Sequence, residues 1–368
     1  MLCAEKCHDR YLARTALISN GAFMETPVRH KESALRPKVL VRPQPAGEEV
    51  AIGLSAAVLA MQGDEPMVAV LPLAGGAHTS DATLPSGRFS PREHANLEEG
   101  LRRLVQREIG LELGFAQQLY TFGERGSRHD TITTPVFVSV CYLALLGPDH
   151  CHGRNGPEWR SWYDFLPWED WRRGRPACLT NRIEPRLRAW ADQQPGNGGS
   201  NGSLDRHQRL RVAFGCDGGS WDEEKVLERY ELMCEAGLAG DLADAASAPD
   251  FASKQQPRLR HPLQGDQTRV LASAVGEMRR ALKFRPVVFE MMAEVFTLFE
   301  LQRTVEAILG PHLHKQNFRR LVESGGLVEP TGDYRFRTGG RPAQLYRFRR
   351  DVVMERLAPG VRVKAGRA

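Results

Sequence analysis

No run of the 368-residue chain reaches the roughly 18 consecutive apolar residues of a membrane span, so no membrane role is expected. No apolar core follows Met1, as a secretory signal would require, and residues 1–37 are mixed, polar and patternless. They read as a loose tail, with Met24 as an alternative start. The seven cysteines (Cys3, Cys7, Cys141, Cys151, Cys178, Cys216 and Cys234) are odd in number and include no Cys-x-x-Cys pair. That pattern argues against a disulfide frame or a zinc site and for reduced thiols in the cytoplasm. Cys151-His152 has no second pair at ligand spacing, so no metal is expected. Neither G-x-G-x-x-G nor a Walker lysine loop occurs, which excludes a Rossmann or P-loop nucleotide domain. No internal repeat is present, so a solenoid or propeller is not the architecture.

What is present is enough apolar residue (41%) for two or three ordinary cores, with charge gathered at one end. Residues 310–368 hold 13 Lys and Arg against 5 Asp and Glu, a net +8 within a chain of net +5, leaving −3 elsewhere. Such a concentration suits a phosphate-backbone footprint, provided the fold of that end presents it.

Along the chain, Val50–Ala60 and Met67–Leu73 are β-rich around a Gln-Gly-Asp-Glu-Pro turn and predict a hairpin. A Gly/Ala/Ser/Thr loop follows at 74–80. Leu97, Leu101, Leu104 and Val105 set a helix over 97–109 that Gly110 terminates. Strands are predicted over 115–122 and 134–146, and a helix over 181–192. This mixture predicts an α+β domain over 38–193. Residues 194–203 read as a flexible linker within a 194–265 connecting region, which carries a short strand (211–214) and a helix (222–236). A helix over 266–284 opens the C-terminal module (266–358), and 359–368 is a basic tail.

That module has the order of a winged helix-turn-helix. Thr297 is a good N-cap, and Leu298, Leu301, Val305, Ile308 and Leu309 fall on one helical face before Gly310-Pro311 ends the helix. A second helix runs to about Ser324 with Phe318, Leu321 and Val322 inward. Its outward His314, Lys315, Gln316, Asn317, Arg319 and Arg320 are types that read bases and hold phosphates: Arg and Lys donate to guanine, and Asn and Gln pair with adenine. Leu327-Val328-Glu329 starts a strand, Pro330–Asp333 reads as a turn, and Tyr334–Arg337 and Gln344–Arg349 alternate as strands around the tip Thr338-Gly339-Gly340-Arg341-Pro342. Arg341 at that tip suits a minor groove, and Arg335 and Arg337 suit phosphates. Arg173-Gly174-Arg175-Pro176 matches an AT-hook core but lies in an aromatic, acidic setting, and reads as a structural loop.

The N-terminal domain carries a resemblance. Leu84-Pro85-Ser86-Gly87-Arg88-Phe89 followed by Leu97–Leu111 resembles the Nudix box. With Phe165–Trp171, Lys283–Glu290, His314–Leu321 and Gly339–Ala343, the chain over 38–358 resembles the Nudix-related transcriptional regulators, and within them the alphaproteobacterial NAD-synthesis repressor branch of the NadQ type. The resemblance implies a Nudix-like α/β/α sandwich joined to a winged helix. A hydrolytic box reads G-x5-E-x7-R-E-U-x-E-E-x-G-U (U apolar), its glutamates holding the metals that activate water. In the register set by Gly110, Arg103 and Glu108 match, but Leu104 and Arg107 replace glutamates, and Phe89 and Ala95 stand for the early Gly and Glu. A two-residue insertion restores Gly87 and Glu93 only. The resemblance therefore implies a domain that binds without hydrolysing, with no catalytic residue and no catalytic cofactor. It implies an adenine-nucleotide effector (ATP, NAD or ADP-ribose), with Arg102, Arg103, Arg107, Arg125 and Arg128 toward phosphates and Phe122, Trp162 and Tyr163 as stacking partners. The expected partners are a palindromic double-stranded DNA operator before NAD-synthesis genes and a second copy of the chain. Two alternatives stand: a working pyrophosphohydrolase using Glu93 and Glu108, and a winged helix used only for protein contact.

Overall fold

The computed structural model describes residues 50–72, 82–124, 136–152, 156–193, 204–238, 263–336, 342–355 and 360–361. The expected tail (1–37), the loop 74–80, the linker 194–203, Arg125, Arg128 and the wing tip 337–341 lie outside them. Among the described residues no helix is long and apolar enough to cross a membrane.

Strands β1 (Val50–Gln62) and β2 (Glu65–Pro72) form the predicted hairpin, in register from Leu59↔Val68 to Gln62↔Glu65. Two pieces too short to carry a sequence pattern follow: β3 (Ala82–Thr83) on β2, and β4 (Ser86–Arg88) on β1. Helix α1 (Leu97–Ile109) starts where Asn96 accepts a hydrogen bond from the Glu99 N–H and stops at Gly110 in the left-handed conformation, as predicted. Strands β5 (Phe115–Glu124) and β6 (Val136–Leu145) pair antiparallel, and β6 runs parallel to β1 from Val50↔Val136 to Leu59↔Leu145. β7 (Glu158–Ser161) pairs with β2, which completes a mixed sheet of order β3-β2-β1-β6-β5.

The near-continuous apolar runs of β1 and β6 are explained by cover on both faces. Leu54, Ala56, Val58, Val140, Tyr142 and Ala144 pack with Leu101, Leu104, Val105 and Ile109 of α1. The alternate residues Ala57, Leu59, Met61, Cys141, Leu143 and Leu145 belong to a second, larger core. Its helices are α2 (Trp162–Phe165), α3 (Glu184–Asp192), α4 (Arg206–Phe214), α5 (Val226–Glu235) and α6 (Gln267–Phe284). Layered in this way, helix on sheet on helix, the first part of the chain has the expected α/β/α sandwich form.

The strand expected at 211–214 is instead the last turn of α4. Leu210, Val212 and Phe214 alternate as a strand would, but Asp205 and Gln208 form a capping box (2.7 and 3.1 Å) that commits the backbone to a helix one turn earlier.

The remaining elements are β8 (Val295–Phe296), α7 (Leu298–Leu309), α8 (Lys315–Ser324), β9 (Val328–Arg335), β10 (Ala343–Phe348) and α9 (Val352–Glu355). β8, β10 and β9 form a three-stranded sheet in that order. Pro330–Asp333 is not a turn, as expected from composition, but part of β9. Pairing passes from Tyr346↔Pro330 to Gln344↔Tyr334, so β9 advances four residues while β10 advances two. The surplus is a bulge at Gly332, whose φ of 91° only glycine tolerates readily.

Candidate nucleic-acid interface and the effector domain

Helix α7 begins in a capping box. The Glu300 N–H donates to the Thr297 hydroxyl (3.2 Å), and the Thr297 N–H donates to the Glu300 carboxylate (2.8 Å). Its far end is fixed by a buried pair one helical turn apart. Gln302 Nε2 donates to a carboxylate oxygen of Glu306 and to the Leu313 carbonyl, while the Leu313 N–H donates to Glu306, all at 2.9 Å. Those bonds span the turn between α7 and α8, so two side chains of α7 set where the second helix starts. Phe318 and Val322 are buried beneath α8. His314, Lys315, Gln316, Asn317, Arg319 and Arg320 are all exposed. Among the described residues no side chain caps the start of α8, which leaves its first N–H groups without an acceptor from the helix itself.

The charges on this face differ from those nearby. Lys315, Arg319 and Arg320 form no salt bridge among the described residues, whereas Arg335 pairs with Glu300, Arg347 with Glu329 and Arg349 with Glu355. Unneutralised cations beside amide side chains on one helix face make a surface that attracts a polyanion and can read its edges. The structure thus gathers His314 and the five predicted residues of α8 on one exposed face, while Arg335 pairs with Glu300 at the start of α7. Arg337, Thr338, Gly339, Gly340 and Arg341 lie outside the described residues.

The described members of the predicted effector set are not brought to one place. Arg102 pairs with Glu98 (2.8 Å) and donates to the Leu113 and Gly114 carbonyls, so it fastens the turn after α1. Arg103 pairs with Glu99 and donates to the Glu93 carbonyl (3.1 Å). Arg107 pairs with Glu108 (3.0 Å) and is largely exposed. The aromatic candidates lie across the sheet. Trp162 and Tyr163 are core residues of the second layer, and Phe122 packs against that core with the Arg269 guanidinium 5.5 Å from its ring centre. The reading of Trp162 and Tyr163 as stacking partners is therefore corrected: neither ring has an open face, and a seven-stranded sheet separates them from the arginines of α1.

Leu104, at a glutamate position of the box-like stretch, is buried against the sheet, and the Arg107 guanidinium takes the one matching carboxylate, Glu108. Among the described residues no cluster of three His, Cys, Asp or Glu is placed to hold a metal ion.

A cleft of about 540 Å³ does open beside α1, lined by Phe89, Asn96, Leu97, Glu98, Ala116, Gln118 and Tyr142. Burial, and then the Glu98 charge, raises the Tyr142 hydroxyl above its ordinary value, so it remains a neutral donor. The sequence signal was the aromatic Phe89 just ahead of a capped helix. Tyr142, inside an apolar strand, gave none.

Residues 288–348 match the model of the NrtR DNA-binding winged helix domain. A curated relative, the ADPR responsive transcriptional repressor NtrR of Acinetobacter baylyi, is 38% identical over 90 residues, which is 24% of this chain and 36% of the relative. The chain thus spans about a third of that relative's length. Among solved structures, NrtR of Shewanella oneidensis complexed with a 27mer DNA is similar at a TM-score of 0.49 and 17% identity, over 82% of this chain and 95% of that one. The Nudix domain of the same protein complexed with ADP ribose is a more distant likeness, with a TM-score of 0.28 and 18% identity over 41% of this chain and 96% of that one.

Proposed function

Taking the chain as a Nudix-related transcriptional regulator with an NrtR-type winged helix, we propose that it is a DNA-binding repressor controlled by an adenine nucleotide. The observation that carries the reading is the outer face of α8, where Lys315, Gln316, Asn317, Arg319 and Arg320 stand exposed without carboxylate partners among the described residues. The wing strands β9 and β10 follow directly, paired through β10 with β8 from before α7, at the place where such a module meets a second groove or the flanking phosphates. The regulated genes are those of NAD synthesis, the operator is palindromic, and two copies of the chain bind it. The effector is ADP-ribose, in keeping with the name of the curated relative, and it enters the cleft between Phe89 and Tyr142 beside the start of α1. It is not hydrolysed, because Leu104 and Arg107 leave Glu108 without the carboxylate neighbours that a metal needs.

The test is a fluorescence-anisotropy titration of an intergenic fragment from before NAD-synthesis genes against a scrambled fragment, with and without ADP-ribose, NAD and ATP. Selective binding that ADP-ribose shifts supports the proposal. Equal binding to both fragments removes the operator assignment. Asn317→Ala and Arg319→Ala are each expected to weaken operator binding by about 1–3 kcal/mol where they read a base, with less effect on the scrambled fragment. Phe89→Ala is expected to weaken ADP-ribose binding by calorimetry while leaving operator affinity without nucleotide intact. A variant that binds ADP-ribose as tightly as the parent moves the effector elsewhere. Incubation with Mg²⁺ and ADP-ribose is expected to release no AMP, and a steady release would restore the hydrolase alternative.

A further inference from the structure

Beneath the helix-turn-helix lies a buried ionic cluster that belongs to neither the exposed face of α8 nor the cleft beside α1. Glu169, Arg229 and Arg279 are all fully buried, although they come from three separate parts of the chain. Glu169 accepts from Arg229 Nε and Nη2 (2.6 and 2.8 Å) and from Arg279 Nη1 (2.6 Å). One carboxylate thus faces two guanidiniums. The rest of their donors are met by backbone carbonyls, Ala213 and Asp222 for Arg229 and Glu223, Glu169 and Ile308 for Arg279, and by the Tyr163 hydroxyl, which accepts from Arg279 Nη2 at 3.4 Å. The face of Trp221 covers Arg229 at 3.8 Å.

Two of these contacts reach into the last turn of α7. Arg279 Nε donates to the Ile308 carbonyl (2.9 Å), and the Tyr163 hydroxyl donates to the Ala307 carbonyl (2.7 Å). Terminal helix carbonyls have no partner within their helix, and a cation there is favoured by the helix dipole. The groups that satisfy them lie outside the winged-helix match at 288–348, and the helix expected to open the C-terminal module at 266 packs on the sheet instead. Tyr163 follows directly on strand β7 of the sheet, and Arg279 lies on α6, which packs against β1, β5 and β6. Contact is close: a Cβ on Gly310 would lie 3.1 Å from Trp171 Cβ and 3.3 Å from its backbone nitrogen. From α7 the position passes to α8 through the Gln302–Glu306–Leu313 bonds.

We propose that Tyr163 and Arg279, braced by Glu169 and Arg229, are positioning residues for DNA recognition, which fix the helix-turn-helix to the sheet layer at the end of α7. The proposal rests on the DNA-binding reading for its consequence, though not for the joint itself. Small shifts of the sheet or of α6 are delivered to the base-reading helix through this point, because packed elements move as units.

The decisive variant is Tyr163→Phe in the full chain, which removes one hydroxyl and keeps the ring in its core. Circular dichroism and thermal unfolding establish that it folds. Amide exchange is then read over 307–314, and anisotropy on the operator and scrambled fragments at one salt concentration. The joint predicts roughly tenfold faster exchange over 307–314 and a five- to tenfold loss of operator affinity, with binding to the scrambled fragment unchanged, since the phosphate-binding charges are intact. Unchanged exchange over 307–314 overturns the joint, and so does an equal loss on both fragments, which marks general loosening. Should the parent protein bind both fragments alike, the operator reading falls, and the exchange comparison alone decides the joint.

Discussion

Glu169→Gln is expected to cost about 3–5 kcal/mol of folding stability at neutral pH, as the removal of one partner from a buried charge pair generally does. Glutamine keeps the shape and one acceptor oxygen, but it leaves Arg229 and Arg279 fully buried with no counter-charge. The effect carries a pH signature. Burial by itself pushes the Glu169 carboxyl up, but the charges of Arg229 and Arg279, and their hydrogen bonds, more than offset it and hold the group below its ordinary value of 4.5. A carboxyl whose folded value is depressed stabilises the fold above the unfolded value, and that contribution fades as pH falls through the folded one. The parent should therefore lose stability progressively below about pH 4.5. Glu169→Gln should be weaker at pH 7 and converge on the parent in acid. Urea unfolding of both proteins at a series of pH values checks this. A gap that stays constant from neutral to acid pH would show that Glu169 stabilises through packing and not through charge.

How much of this was legible in the sequence depends on how local each signal was. The extent of α1 was readable from the spacing of Leu97, Leu101, Leu104 and Val105 and from Gly110, which is itself the C-cap. The β1–β2 hairpin was readable from its turn, and α7 from Thr297 and the spacing of its apolar face. The wing was legible as a unit but not in register, since composition cannot tell a Pro-Thr-Gly-Asp turn from a bulge, and β10 alone settles it. The α4 segment failed because apolar alternation outweighed a capping box that lay just before it.

The candidate sites divide in the same way. Residues 314–320 sit on consecutive turns of one helix, so periodicity sorted inward from outward correctly. The effector residues depended on which face of the sheet each element covers. Trp162 and Tyr163 look alike as stacking platforms or as core, and only the path of β7 into α2 shows that they are core. Arg102 reads as a free cation until the Leu113 carbonyl is found beside it. The buried joint could not be assembled from the sequence: Glu169 lies in the quoted stretch Phe165–Trp171, but nothing there names its partners. Glu169 lies 60 positions from Arg229 and 110 from Arg279, and none of the three belongs to a periodic pattern.

Removing the three outward cations of α8 together, by Lys315→Ala, Arg319→Ala and Arg320→Ala, is expected to weaken DNA binding on the order of a hundredfold at low salt, from roughly 1 kcal/mol or more for each charge-assisted contact. Its clearer mark is the salt dependence. Each phosphate neutralised by a cation contributes about −0.9 to the slope of log affinity against log salt, so the triple variant should be flatter by up to about 2.7. Arg335, Arg347 and Arg349 offer the matched comparison, because they carry the same formal charge close by but are paired with Glu300, Glu329 and Glu355. Their replacement removes ion pairs whose field is already largely cancelled, and should flatten the slope much less. Anisotropy titrations of both triple variants over a range of salt concentrations separate the cases. A larger change from the paired set would move the main phosphate contact from α8 to the wing, with Glu300, Glu329 and Glu355 released when DNA binds. A larger change from the α8 set would mean that the unpaired face seen in the free protein is already arranged for its ligand, so that little of the binding free energy is lost to breaking internal bonds.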